Sequence, residues 1–168
     1  AKRTTIDVGK INDRYFINIV AAGLIPEAVS EVTIKEKTLF GSLAYFMKGF
    51  QALPKQHSYH FHIREENGTD IHISSPLVAA MLTDSAGSFR NLVPPEERNK
   101  GVIKLALFHN FQWLRTIREA PKLLTGLQPG PEILTVVGVK KAHISISNEE
   151  ELITNVDGEK GPSFPINL

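Results

Sequence analysis

Residues 154–165 read TNVDGEKGPSFP, which sets two carboxylates, Asp157 and Glu159, on either side of Gly158. In an extended strand, residues two apart point the same way, about 7 Å apart. Both carboxylates could then face one magnesium–phosphate cluster, with Gly158 letting backbone come close. One acid would orient the metal while the other accepts a proton from an attacking hydroxyl. The plainer alternative is a glycine-centred turn carrying two solvated acids, and a tripeptide alone does not decide between them. A carboxylate pair that handles nucleotide also needs a glycine-rich backbone cradle for the phosphates. The chain contains no Gly-x-Gly-x-x-Gly and no Walker-type loop, and it has no Gly-x-Ser-x-Gly nucleophile elbow.

His57, His60, His62 and His72 invite a metal reading. A two-residue turn at Asn67-Gly68 would pair Glu66 with Thr69 and hence His62 with Ile73. His60 and His62 would then share a face with Arg64, Ile71 and Ile73, leaving His72 on the other face with Phe61 and Ile63. Three histidines do not converge in that register, and two without carboxylate or cysteine support make a poor zinc site. The expectation is a solvated sheet face and no metal site.

Leu43, Phe46, Met47, Phe50 and Leu53 recur at spacings of three and four, the stripe of a packed helix. Phe46, Met47 and Phe50 could alternatively wall an apolar pocket for an acyl chain. Arg115, Arg118 and Lys122 mark the polar side of a second helix, a solvated face with a weaker option of touching anionic headgroups.

These side chains must be positioned by a single domain, 1–168, since 168 residues suit one domain with a sizeable core. Composition is ordinary for a globular chain, with 42% hydrophobic and 22% charged residues. Nineteen basic against eighteen acidic residues leave a net charge of +1, no footprint for nucleic acid. The absence of cysteine excludes thiolate chemistry and favours a cytoplasmic setting. No apolar run approaches the roughly 20 residues of a membrane-spanning helix, and AKRTTIDVGK has no signal-peptide core. Asn67-Gly68-Thr69 is accordingly read as a turn rather than a glycosylation site.

TTIDVGKINDRYFINIVAAG reads as a hairpin about the KIND turn, and HSYHFHIREENGTDIHISS as another about Asn67-Gly68. LVAAMLTDSAG and GVIKLALFH are further strands, and EILTVVG, KAHISIS and EELITNVDGE close the chain. Many short strands with few helices predict a mainly β fold, a β-sandwich with two or three helical insertions.

Five stretches occur in the order of a known pattern: IDVGKINDRYFINIVAAGL, KTLFGSLAYFMKGFQAL, FRNLVPPEERNKGVIKLALF, LLTGLQPGPEILTVVGVKKAHISI and NVDGEKGPSFPINL. Together they resemble the C-terminal domain of the bacterial diacylglycerol kinases, soluble lipid kinases related to sphingosine kinases. The resemblance spans essentially the whole chain. It implies a lipid-binding β-sandwich cut from a two-domain enzyme, whose N-terminal domain carries a Gly-Gly-Asp-Gly-Thr loop for the ATP phosphates. No such loop occurs here. The complete enzyme would use ATP and Mg²⁺ to phosphorylate diacylglycerol or a similar lipid, giving phosphatidic acid, and neither cofactor is expected to bind this domain tightly alone. Glu159 falls on the family's proposed proton acceptor, with Asp157 and Gly158 beside the nucleotide and its magnesium. Expected partners are the N-terminal domain, the lipid, a membrane surface touched peripherally and a second copy. The family often has Asp-Asp-Gly before the strand matching GVIKLALF, its second aspartate holding a structural magnesium. Here Asn99-Lys100-Gly101 stands there, and an ammonium cannot coordinate a cation. A lipid-binding module that has abandoned catalysis is the rival expectation.

Overall fold

The structure is a computed structural model that describes residues 5–23, 58–83, 100–109, 130–147 and 151–168. The expected helices about Phe46 and Arg115, and with them the pocket residues Phe46, Met47 and Phe50, lie outside the described residues, as does His57. Every described regular element is a strand. In chain order these are β1 (Gly9–Ile11), β2 (Arg14–Phe16), β3 (Ile19–Gly23), β4 (Tyr59–Glu65), β5 (Asp70–Ser75), β6 (Leu77–Met81), β7 (Ile103–Phe108), β8 (Leu134–Val139), β9 (Ala142–Ile146), β10 (Ile153–Val156), β11 (Glu159–Ser163) and β12 (Ile166–Asn167).

They form a sandwich. One sheet runs β11-β10-β3-β6-β7-β8 and the other β12-β9-β4-β5, with β1 and β2 as a separate two-stranded ribbon. Neighbouring strands are antiparallel throughout. The alternating patterns of β4 and β9 turn Tyr59, Phe61, Ile63, Ala142 and Ile144 inward, against Val20, Val78, Ala80, Leu105 and Leu107 of the larger sheet. β6 and most of β7 are buried on both faces, which explains their uninterrupted apolar runs. The reverse face of these central strands carries a second cluster of Ala79, Met81, Ala106 and Leu134.

Two sequence expectations change. The β4–β5 hairpin pairs Arg64 with Asp70 and His62 with His72, one residue away from the expected register. The loop is Glu66-Asn67-Gly68, three residues long, with Gly68 at φ 89°. The Glu65 N–H donates to Thr69 O at 2.9 Å, closing a hairpin whose last loop residue must be left-handed. A one-residue slip moves a whole side-chain set to the other face, and here burial decides. Phe61, Ile63, Ile71 and Ile73 go inward, so His60, His62 and His72 all share the outer face with Arg64 and Asp70. Also unforeseen were β11 and β12. β11 reads EKGPS and lacks apolar alternation, so only its pairing with β10 makes it a strand.

Candidate active site

Asn155 and Val156 end β10, and Val156 pairs directly with Glu159 at the start of β11. The two intervening residues are both left-handed, Asp157 at φ 51° and Gly158 at φ 95°. Two-residue loops with positive φ at both positions match the twist of antiparallel strands, and Asp-Gly is a preferred filling. The Asp157–Glu159 segment is therefore a tight turn rather than an extended strand, because Asp-Gly favours the hairpin geometry over the pleat. The Asn155 Oδ1 accepts the Gly158 N–H at 2.9 Å and closes the turn from inside.

The two acids have different surroundings. Asp157 Oδ2 accepts the Ile17 N–H at 2.7 Å, while its Oδ1 accepts those of Asn18 at 3.0 Å and Ile19 at 2.8 Å. Its own N–H donates to Ile19 O at 2.9 Å. The turn is thus clamped onto the bend between β2 and β3. That bend is held from its far side too, where Asn18 O accepts the Leu82 N–H at 3.0 Å and Asn18 Oδ1 accepts the Thr83 hydroxyl. Glu159 instead projects outward with its side chain 76% exposed and accepts from the Arg14 guanidinium. A second Arg14 nitrogen donates to Lys160 O at 2.8 Å, so one guanidinium holds both the side chain and the backbone of the hairpin. So exposed a pair adds little stability. Its effect is geometric, since it limits where the Glu159 carboxylate points.

For magnesium the two acids fit differently. Both oxygens of Asp157 already accept backbone donors, which leaves it poorly matched to a cation as it stands. Glu159 is accessible and could turn toward a ligand. Lys100 is exposed, and the next residue, Gly101, donates its N–H to Asp7 Oδ2 at 2.9 Å. Among the described residues no group of three His, Asp or Glu side chains converges as a metal site.

On the outer face of β4 and β5, His62 stacks on His72 with ring centroids 4.2 Å apart. His62 Nε2 lies 3.1 Å from Asp70 Oδ1, which also accepts from Arg64 Nε at 3.0 Å. The Arg64 hydrogen bond, followed by that of His62, holds the Asp70 carboxyl below its ordinary range. An open cavity of about 590 Å³ lies where β5 meets β7 and β8, walled by Ile71, Ile73, Leu107 and Val137. His109 and Thr135 meet at its rim at 2.8 Å.

Arg14 and Asn18 were not picked out from the sequence. RYFIN, after the KIND turn, reads as ordinary strand, and Arg14 lies 145 residues from Glu159, so nothing local joins them.

The sequence profile of the YegS C-terminal NAD kinase beta sandwich-like domain matches residues 18–168. A diacylglycerol kinase of Bacillus subtilis (strain 168) is 31% identical over 160 residues, covering 95% of this chain and 52% of that protein. A diacylglycerol kinase of Staphylococcus carnosus (strain TM300) is 33% identical over 165 residues, covering 97% and 52%. The chain therefore spans about half the length of the curated relatives it matches. The crystal structure of a diacylglycerol kinase from Bacillus anthracis str. Sterne superposes with a TM-score of 0.69 over 98% of this chain and 52% of that one, at 19% identity, a likeness of fold. A match over residues 18–168, on a sandwich of the kind that its name describes, places this chain in the YegS C-terminal NAD kinase beta sandwich-like domain family.

Proposed function

We propose that this chain is the lipid-binding, cleft-completing part of an ATP-dependent lipid kinase that phosphorylates the hydroxyl of diacylglycerol or a closely similar lipid. The observation that carries the reading is the division of labour in the β10–β11 turn. Asp157 is committed to three backbone amides, and Glu159 is presented to solvent at a defined position. In the complete enzyme Glu159 accepts the proton of the lipid hydroxyl as that oxygen attacks the γ-phosphorus and the bond to ADP breaks. ATP with Mg²⁺ supplies the phosphoryl group. Asp157 fixes the turn, and Gly158 permits its left-handed geometry. The apolar walls of the cavity at Ile71, Ile73, Leu107 and Val137 suit an acyl chain. The protein would work in the cytoplasm at a membrane surface, joined to an upstream ATP-binding domain and able to pair with a second copy.

The test is transfer of labelled γ-phosphate from ATP to diacylglycerol in mixed micelles by the full-length protein. Glu159→Gln should lower kcat by about 10²–10⁴-fold, the range for removing a proton acceptor, with lipid binding unchanged. Turnover equal to the parent would remove Glu159 from the mechanism. The second reading is a lipid-binding module without catalysis, favoured by the exposed Lys100 in the family's metal-ligand position. Lipid binding with no transfer by the parent protein would select it.

A further inference from the structure

Gly9, Ile11, Arg14 and Phe16 share one face of the β1–β2 ribbon, since Gly9 pairs with Phe16 and Ile11 with Arg14. Ile11 and Phe16 are buried, at 0% and 1% exposure. The Phe16 ring lies so close over Gly9 that a Cβ there would stand 2.3 Å from it. Arg14 is the polar member of this face, and its backbone is fixed by those buried neighbours. Its guanidinium reaches the β10–β11 hairpin, where Nη1 donates to Lys160 O at 2.8 Å and Nη2 donates to the Glu159 carboxylate. A side chain held at both ends is preorganised, and it loses little freedom when it takes a further acceptor.

Orienting Glu159 uses only part of what this side chain offers. A guanidinium carries five N–H donors, and two of them are engaged among the described residues. The side chain is 41% exposed, so solvent reaches it. A cation beside a proton acceptor does not help that acceptor take a proton. It helps when the group that gives up the proton is attacking an anion. Phosphoryl transfer is such a case, because charge is spread over three equatorial oxygens and positioned cations neutralise it. The phosphorus under attack is bonded in the transition state to the same oxygen whose proton Glu159 accepts. Its other oxygens therefore come within reach of a side chain already bonded to Glu159. A planar fork also suits phosphate oxygens, which an ammonium meets only as a point charge.

We propose that Arg14 is a catalytic residue that binds the γ-phosphoryl group of ATP as it moves. The inference rests on the lipid-kinase reading above and adds a cation from this chain to it. The bond from phosphorus to the ADP oxygen breaks as the bond to the lipid oxygen forms, and the lipid proton passes to Glu159. Arg14 donates N–H groups to the equatorial phosphoryl oxygens and keeps its own protons. Its bond to Lys160 O holds the guanidinium in place throughout.

The test compares the full-length parent with Arg14→Ala and Arg14→Lys, in the presence of Mg²⁺. So exposed a pair adds little stability, and Arg14→Lys, which keeps charge and stem, serves if the alanine variant does not fold. In calorimetric titrations Arg14→Ala should bind ATP about tenfold more weakly than the parent, the scale of one charge-assisted hydrogen bond, and ADP equally well. Its kcat should fall about 10³-fold, the lower end of what an arginine supplies to phosphoryl transfer, with KM for the lipid unchanged. Arg14→Lys should recover part of both losses. Introduced into Glu159→Gln, Arg14→Ala should lower kcat further. Unchanged ATP affinity, or equal losses for ATP and ADP, would overturn the proposal. So would a kcat loss that vanishes in the Glu159→Gln background, which would make Arg14 a positioning residue for Glu159 alone. A parent that binds ATP but transfers nothing fails the kinase reading and leaves the titrations to decide this one. A parent that binds no ATP overturns both.

Discussion

A carboxylate that accepts three amide hydrogens and one that accepts a single guanidinium do different work, though one glycine separates them. For Asp157 the work is structural. Asp157→Asn keeps a residue tolerant of left-handed φ but points an amide NH₂ at an N–H donor, and it should cost about 2 kcal/mol in denaturant unfolding. Glu159→Gln should stay within about 0.5 kcal/mol of the parent, as exposed pairs do. Equal losses for the two variants would contradict the division of labour. Gly158 has open space around a notional Cβ, so Gly158→Ala tests backbone conformation alone, and about 1 kcal/mol is expected for a non-glycine residue at φ 95°. At this scale the sequence was half legible. Asp-Gly announced a turn as loudly as it announced a reactive pair. The three amides that settle the role of Asp157 come from residues 138 to 140 positions away, where no spacing rule reaches.

Elements were legible wherever they alternate. The strand containing Phe61 and Ile63, its partner containing Ile71 and Ile73, and the KIND turn all follow from pattern and turn chemistry. What pattern did not give was register, because Asn67-Gly68 can serve either a two-residue or a three-residue loop. The structure takes the longer loop, since only that register buries all four apolar side chains. Gly68→Val should therefore destabilise the hairpin by about 1 kcal/mol or more, because a β-branched residue resists φ 89°. Retained stability would mean that the loop has another form. The outer face gives a pH signature. Asp70 is held below the ordinary carboxylate range by Arg64 and then His62. Its contribution is present at neutral pH and disappears as pH falls through the lowered folded-state value. Asp70→Asn should lower the neutral-pH melting temperature slightly and flatten the acid limb of its pH profile, the variant and the parent converging in acid.

For the whole molecule, the sandwich was readable from the number and spacing of strands, whereas the order of strands in each sheet was not. β3 lies between β10 and β6, and β12 joins β9, so each sheet admits strands from the far end of the chain. Such pairings leave no local trace. They do predict that a full-length protein terminated after residue 150, and so lacking β10 to β12, loses cooperative unfolding and becomes protease-sensitive. A truncated protein that still melts as one unit would show β3 to be stable with one neighbour.

That placement of β3 has a consequence for how the protein is made. Val20 and Ala21 find their second set of partners at Val156 and Asn155, and Asn12 exchanges hydrogen bonds with Asn167. On the ribosome these early residues emerge long before their mates, so one edge of β3 stays open while nearly all of the domain is translated. Once β10 to β12 have emerged, they close the larger sheet, pin the ribbon turn and bring Glu159 to Arg14 in a single event. A nascent chain released before that point would carry an open strand edge and no Arg14–Glu159 contact, so that contact marks a chain translated through the β10–β11 hairpin.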